Sequence, residues 1–349
     1  GRRTKPNAIN LFRCVCPAHA YGNYAGLLHV GMPRLTLSAQ FHRMRNFVSR
    51  FPVLTFTALT LTFQTLIVAF MSLRLRGGLH LDDDPVAHMV FRLRVFGPLG
   101  FAMLVTFYIE GKAGLGTLFG SYLHWKAPMR FYALAFSWKF MYFYTGAAVI
   151  LLMGWAPWPG WVADNFFNGT HQGAINLMHN MAFIVGIAFV EETAWMKFSV
   201  TRLQRNYSAL ASCSMVGIAW GTWYLPMLML GEGVPDGFPI PVFMASMFSL
   251  TILLGWIFNM TQSGPILLIA QIVSNCAFFI LPVFPPFSGL DPIYVNGFVA
   301  VNCTLSALLV LVYGWRELGT GKRAVWGERA APASTGVLQP LPTTLGTLK

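Results

Sequence analysis

Eight apolar stretches follow one another between residues 51 and 315, and they decide what this chain can become. They lie at 51–73, 89–109, 130–153, 175–196, 209–230, 239–259, 264–285 and 294–315. A bilayer core of about 30 Å takes about 20 helical residues to cross, and each stretch is long enough or nearly so. In lipid a spanning segment must satisfy its own backbone polar groups, so apolar runs of this length are helices. Only 10% of the residues are charged, against about 25% in soluble domains. The expectation is an all-α polytopic membrane bundle of about eight transmembrane helices over 51–316. It follows a basic arm or leader at 1–50 and precedes a Gly-, Pro- and Thr-rich tail at 317–349 that is disordered or partner-bound.

Charge outside the stretches sets an orientation. The segments 110–129 and 197–208 and the tail carry Lys112, Lys126, Lys197, Arg202, Arg205, Arg316, Lys322, Arg323 and Arg329. Of the alternate segments, 154–174, 231–238 and 286–293 contain no Lys or Arg, and only the one between the first two stretches is mixed, with Arg74 and Arg76 against Asp82, Asp83 and Asp84. The positive-inside bias then places both termini on the cytoplasmic, matrix or stromal side of a bacterial inner or organellar membrane. The net charge of +12 is dispersed and accompanies no nucleic-acid-binding pattern, so no nucleic acid is expected as partner. The second stretch is the weakest, and its Arg92 and Arg94 are expected to snorkel to the interface. Lys139, inside the third, must turn into the bundle or find a partner. The first acidic residue is Asp82, so the leader is basic. Three readings of it stand: an organelle transit remnant over 1–31, a cytoplasmic arm, or a start at Met32.

Cys213, Cys276 and Cys303 fall inside stretches as small core residues. Cys14 and Cys16 with His19 lack a second ligand pair, so no metal is expected. Asn168-Gly169-Thr170 has the form of a glycosylation sequon. Segment 154–174, rich in Trp, Pro and Gly, has the composition of an interfacial or re-entrant loop. Nothing suggests haem, flavin or nucleotide, and no cofactor is expected.

The chemistry lies in three polar islands. Glu191 and Glu192 end the fourth stretch, in a chain with only 12 acidic residues. A carboxylate at membrane depth costs about 2.5–3.5 kcal/mol on insertion scales, so an adjacent pair needs partners, water or a function. Trp220 through Pro226 interrupts the fifth stretch with Thr222, Trp223 and Tyr224. Gln271 and Asn275, four residues apart on one helix face, interrupt the seventh. Converging, they would line a polar cavity in the bundle; apart, each is an ordinary interhelical hydrogen bond of about 0.6 kcal/mol.

The segment from Glu191 to Pro226, with Gln271 and Asn275, resembles the CPBP group of intramembrane proteases. That group includes the CAAX prenyl endopeptidases and the bacteriocin-processing Abi proteins. Its pattern is two Glu, three residues and an Arg; then an aromatic, three residues and a His before Leu-Pro; then His, three residues and Asn. Glu191, Glu192, Trp220, Leu225-Pro226 and Asn275 match it. Arg202-Leu203-Gln204-Arg205 resembles a common turn after the acids, and Phe96 through Leu115 resembles the early part of bacterial members. The Arg position is Met196, followed by Lys197, and the two His positions are Tyr224 and Gln271. The resemblance covers about 50–315 and implies a CPBP-like fold. It implies that Glu191, Glu192, Tyr224, Gln271 and Asn275 occupy the catalytic positions. In the family a Glu and a His activate water, and the second His and the Asn hold the oxyanion.

The last histidine of this chain is His179, twelve residues before Glu191. On one helix that is about 18 Å along the axis. The expectation is a pseudoprotease that binds a membrane partner or serves as a scaffold subunit. Two alternatives stand beside it: a divergent endopeptidase, and a lipid- or small-molecule-binding protein sharing only the fold. Membrane lipids, a complex partner or a prenylated or transmembrane peptide are the expected partners. With Met196 in place of Arg, either one Glu is protonated or Lys197 turns inward.

Overall fold

In the computed structural model, the described residues are 37–166, 172–231, 238–283, 291–321 and 323–328. The Cys14, Cys16 and His19 group, Met32 and Asn168 lie outside them. From Arg43 onward the described residues form one compact unit; of the preceding unit only 37–42, the start of the first helix, is described.

Every regular element among the described residues is helical, as the eight apolar stretches require. The order is α1 Leu37–Arg50, α2 Pro52–Arg74, α3 Pro85–Arg94, α4 Gly97–Gly120, α5 Met129–Leu152, α6 Val162–Phe166 and α7 Gln172–Glu191. A π-helical stretch, Glu192–Val200, and a short α8, Thr201–Leu203, extend α7 without a break. Then come α9 Ala209–Leu230, α10 Ile240–Thr261, α11 Gly264–Ile280 and α12 Pro292–Tyr313. Six spans are long and apolar enough to cross a membrane, and a seventh arises if α3 and α4 count as one, bent by 41°. The one expected span left out is the seventh stretch, α11, which has only 17 residues. That is about 26 Å of helix, short of the full core. The chain is an all-α, multi-pass membrane bundle. Side chains such as Leu66, Leu104 and Leu311 point outward, as lipid-facing residues do.

Capping explains several boundaries. The Asp84 carboxylate accepts from the Val86 and Ala87 amides ahead of Pro85 and starts α3. Arg74, at the end of α2, reaches the same carboxylate at 2.8 Å. The Arg74 hydrogen bond first, then the Ala87 amide, hold the Asp84 carboxyl below its usual range. Ser208, Ser263 and Asp291 cap α9, α11 and α12 in the same way.

Helices α5, α11 and α12 pack together, and α9 packs on α10. At the α5–α12 crossing a Cβ on Gly146 would stand 2.8 Å from the Gly297 backbone, so only glycine permits that approach. Lys139 turns into this group of helices. Its Nζ donates to Ser274 Oγ at 3.3 Å and lies between the Phe278 and Phe298 rings. Further along α5, Tyr144 stacks on Trp158 and meets Trp161 at a tilt, so the described part of the aromatic loop 154–174 is tied to the bundle.

Two expectations change. Arg94 does not snorkel: it is 2% exposed, because the bend between α3 and α4 turns it inward. The described part of the tail is folded onto the bundle. Leu318 and Trp326 are buried, and hydrogen bonds run from Gln204 to the Ala324 carbonyl and from Arg205 to the Trp326 carbonyl. Tail composition hid this, because the segment docks through its backbone and one indole rather than through a periodic apolar face.

Candidate site at the acidic pair

The acidic pair sits where the long helix changes register. In a π-turn each amide reaches one residue further back, and such insertions recur at functional sites. Ser199 Oγ follows the wider register, donating to the Ala194 carbonyl five residues back. All five residues from Glu192 to Met196 are buried. A lipid-facing helix would expose one face; this stretch is enclosed, with α4, α7, α9, α10 and α11 against it.

Glu191, 1% exposed, is the hub. The Tyr224 hydroxyl, from α9, donates to its Oε1. The Gln271 amide, from α11, donates to its Oε2 at 2.8 Å. Three separate crossings thus meet on one carboxylate. The Trp220 indole N–H is buried without a hydrogen-bond partner. Aromatic rings wall the site: Trp195 stacks on Trp220 at 6.1 Å, and Trp223 meets Tyr224 edge-on at 4.8 Å.

Glu192 differs. It is fully buried and neither carboxylate oxygen has a hydrogen-bond partner. On its side Tyr122 shares a 2.7 Å hydrogen bond with Thr193, and Thr193 donates to the Phe189 carbonyl. Lys197 does not supply a counter-charge. Its ammonium lies 5.5 Å from the centre of the Phe258 ring, and no ion pair joins it to either acid. Asn275 is half-buried on α11, one turn beyond Gln271, and its amide nitrogen is unpartnered, as is the Gln271 carbonyl oxygen.

The convergence expected of Glu191, Tyr224 and Gln271 is therefore present. Asn275 shares the helix face of Gln271 without joining the hydrogen-bonded group, and Glu192 is adjacent to Glu191 without a bond to the group. Chemically, the hub offers a carboxylate held by a phenol and an amide. Around it remain an acceptor on Gln271, a donor on Asn275 and the free oxygens of Glu192. Among the described residues no group of three His, Cys, Asp or Glu side chains is arranged to hold a metal ion.

Two features beside the site escaped the sequence reading. Arg94 approaches from α3, its guanidinium 5.2 Å from the centre of the Trp223 ring. Below the π-helical stretch, Arg202 pairs with Glu110 at 2.9 Å and lies 3.8 Å from the centre of the Trp326 ring. The Trp326 indole donates to both Glu110 oxygens, and its ring meets Phe198 edge-on. The available signal was Glu110 itself, an acid in a chain that has few, followed by Gly111 at φ +62°.

Residues 174–277 match the family model described as Rce1-like, type II CAAX prenyl endopeptidase. The matched region contains the acidic pair, Tyr224, Gln271 and Asn275. No curated protein matches the chain. The order of the islands, their meeting around Glu191 and this match agree: the chain is a multi-pass membrane protein whose residues 174–277 are similar to the Rce1-like, type II CAAX prenyl endopeptidase family.

Proposed function

We propose that this protein is a non-catalytic CPBP-fold member, a pseudoprotease. It binds a membrane-embedded partner or prenylated peptide, or scaffolds a membrane complex. The observation that carries this reading is the Glu191 carboxylate, whose hydrogen-bond donors are a phenol and an amide. The resembled family has imidazoles at those two positions. A phenol with a reference pKa of about 10 is a poor general base at neutral pH, and a primary amide is none. Losing a positioned acid–base histidine typically costs about 10²–10⁴-fold in rate. The alternation of basic and Lys/Arg-free loops supports an orientation with both ends on the inner side.

One observation favours a second reading, a divergent endopeptidase. Glu192 keeps two unpartnered oxygens, and the Asn275 amide nitrogen is free to donate to an oxyanion.

The test offers the purified protein a panel of prenylated and membrane-anchored peptides beside its Glu191→Ala variant. The pseudoprotease reading expects no cleavage above background from either, with peptide binding or a stoichiometric copurifying partner for the parent. Cleavage by the parent that disappears in the variant establishes the second reading.

A further inference from the structure

A guanidinium inside a membrane bundle is costly unless its charge is answered. Arg94 is 2% exposed, yet its hydrogen bond is a long one, from Nη1 to Gln64 Oε1 at 3.4 Å. Its Nε is buried without a partner. The Phe91 and Trp223 rings, at 4.6 and 5.2 Å, cushion the charge without neutralising it. No carboxylate among the described residues forms an ion pair with it. The Trp223 ring that Arg94 lies against meets the Tyr224 ring edge-on at 4.8 Å. The path from Arg94 to Glu191 is short: Trp223 precedes Tyr224 on α9, and Tyr224 holds Glu191.

We propose that Arg94 is a positioning residue, the counter-charge that holds the Glu191–Tyr224 pair in place. It acts from α3, across the bundle, where the helix bearing the acids has Met196 and no cation of its own paired with either acid: Lys197 lies over Phe258 and Arg202 pairs with Glu110. The bend between α3 and α4 is what delivers it. A bent amphipathic segment thereby becomes part of the polar centre. This role holds whether or not Glu191 takes part in hydrolysis, so the cleavage assay and the following test fail independently.

The test is a set of melting curves on the full-length protein in detergent. Arg94→Gln lowers the melting temperature by roughly 5 °C or more, because it leaves a buried acid unanswered. Arg94→Lys, which keeps the charge, retains most of the parent value. Arg94→Gln combined with Glu191→Gln recovers much of the loss, since both charges are gone. A purely structural role for Arg94, through its ring contacts and Gln64, predicts otherwise. The two Gln substitutions then add, and Arg94→Lys is as damaging as Arg94→Gln; either result overturns the proposal. If Arg94→Gln alone fails to accumulate, the double variant decides: recovered accumulation supports the pairing, and none contradicts it.

Discussion

Glu191→Ala destabilises the protein by about 2–6 kcal/mol. The substitution removes the acceptor for the Tyr224 hydroxyl and the Gln271 amide together. A buried donor left unsatisfied costs about 1–3 kcal/mol, and here there are two, far from bulk water. The neighbouring Glu192→Ala supplies the contrast. Its side chain is equally buried but no hydrogen bond depends on it, so its removal is near neutral or stabilising. Glu191→Gln keeps hydrogen-bonding capacity toward both partners and loses less than Ala; what it forfeits is the charge facing Arg94. Melting temperatures of the three variants in one detergent check the order. Equal losses for Glu191→Ala and Glu192→Ala contradict the asymmetry between adjacent acids.

Arg202→Ala costs about 3 kcal/mol, at the low end for a broken buried ion pair. The low end applies because Glu110 is 27% exposed while Arg202 is 2% exposed, so water takes up part of the loss at the acid. The substitution also removes the planar cation over Trp326, which anchors the segment after α12. The measurable result is a fall in melting temperature of several degrees, together with faster proteolysis between residues 317 and 328. A variant that melts lower without faster proteolysis there would separate the ion pair from the docking of this segment.

The existence and order of the apolar helices were legible because lipid imposes a single rule on every crossing; their number was not, since α11 is short and α3 with α4 counts as one crossing only across a 41° bend. The polar islands were legible for the same reason: Glu191, Tyr224 and Gln271 stand out against apolar surroundings. Hidden features share a different origin. The π-helical register is an inserted residue in a ladder of backbone bonds, and no side-chain period marks it. Arg94 reads as an interfacial arginine, since the 41° bend that buries it depends on how α3 meets α4. Trp326 reads as tail because its partners, Glu110 and Arg202, are remote in sequence and belong to other helices. Asn275 shows the limit of helix-face arithmetic. Sharing a face with Gln271 does not bring it to the same carboxylate, since one turn is about 5.4 Å.

The most direct measurement is proximity across the three crossings in the membrane. In a background without native cysteines, the pairs Glu191→Cys with Gln271→Cys, and Glu191→Cys with Tyr224→Cys, are treated with a short bifunctional thiol reagent. Both pairs are expected to cross-link within the chain, and a Glu191→Cys with Leu311→Cys pair, whose second member faces lipid, is not. Failure of both site pairs in folded protein, or equal cross-linking by the lipid-facing control, would contradict a carboxylate held by a phenol and an amide from two other helices.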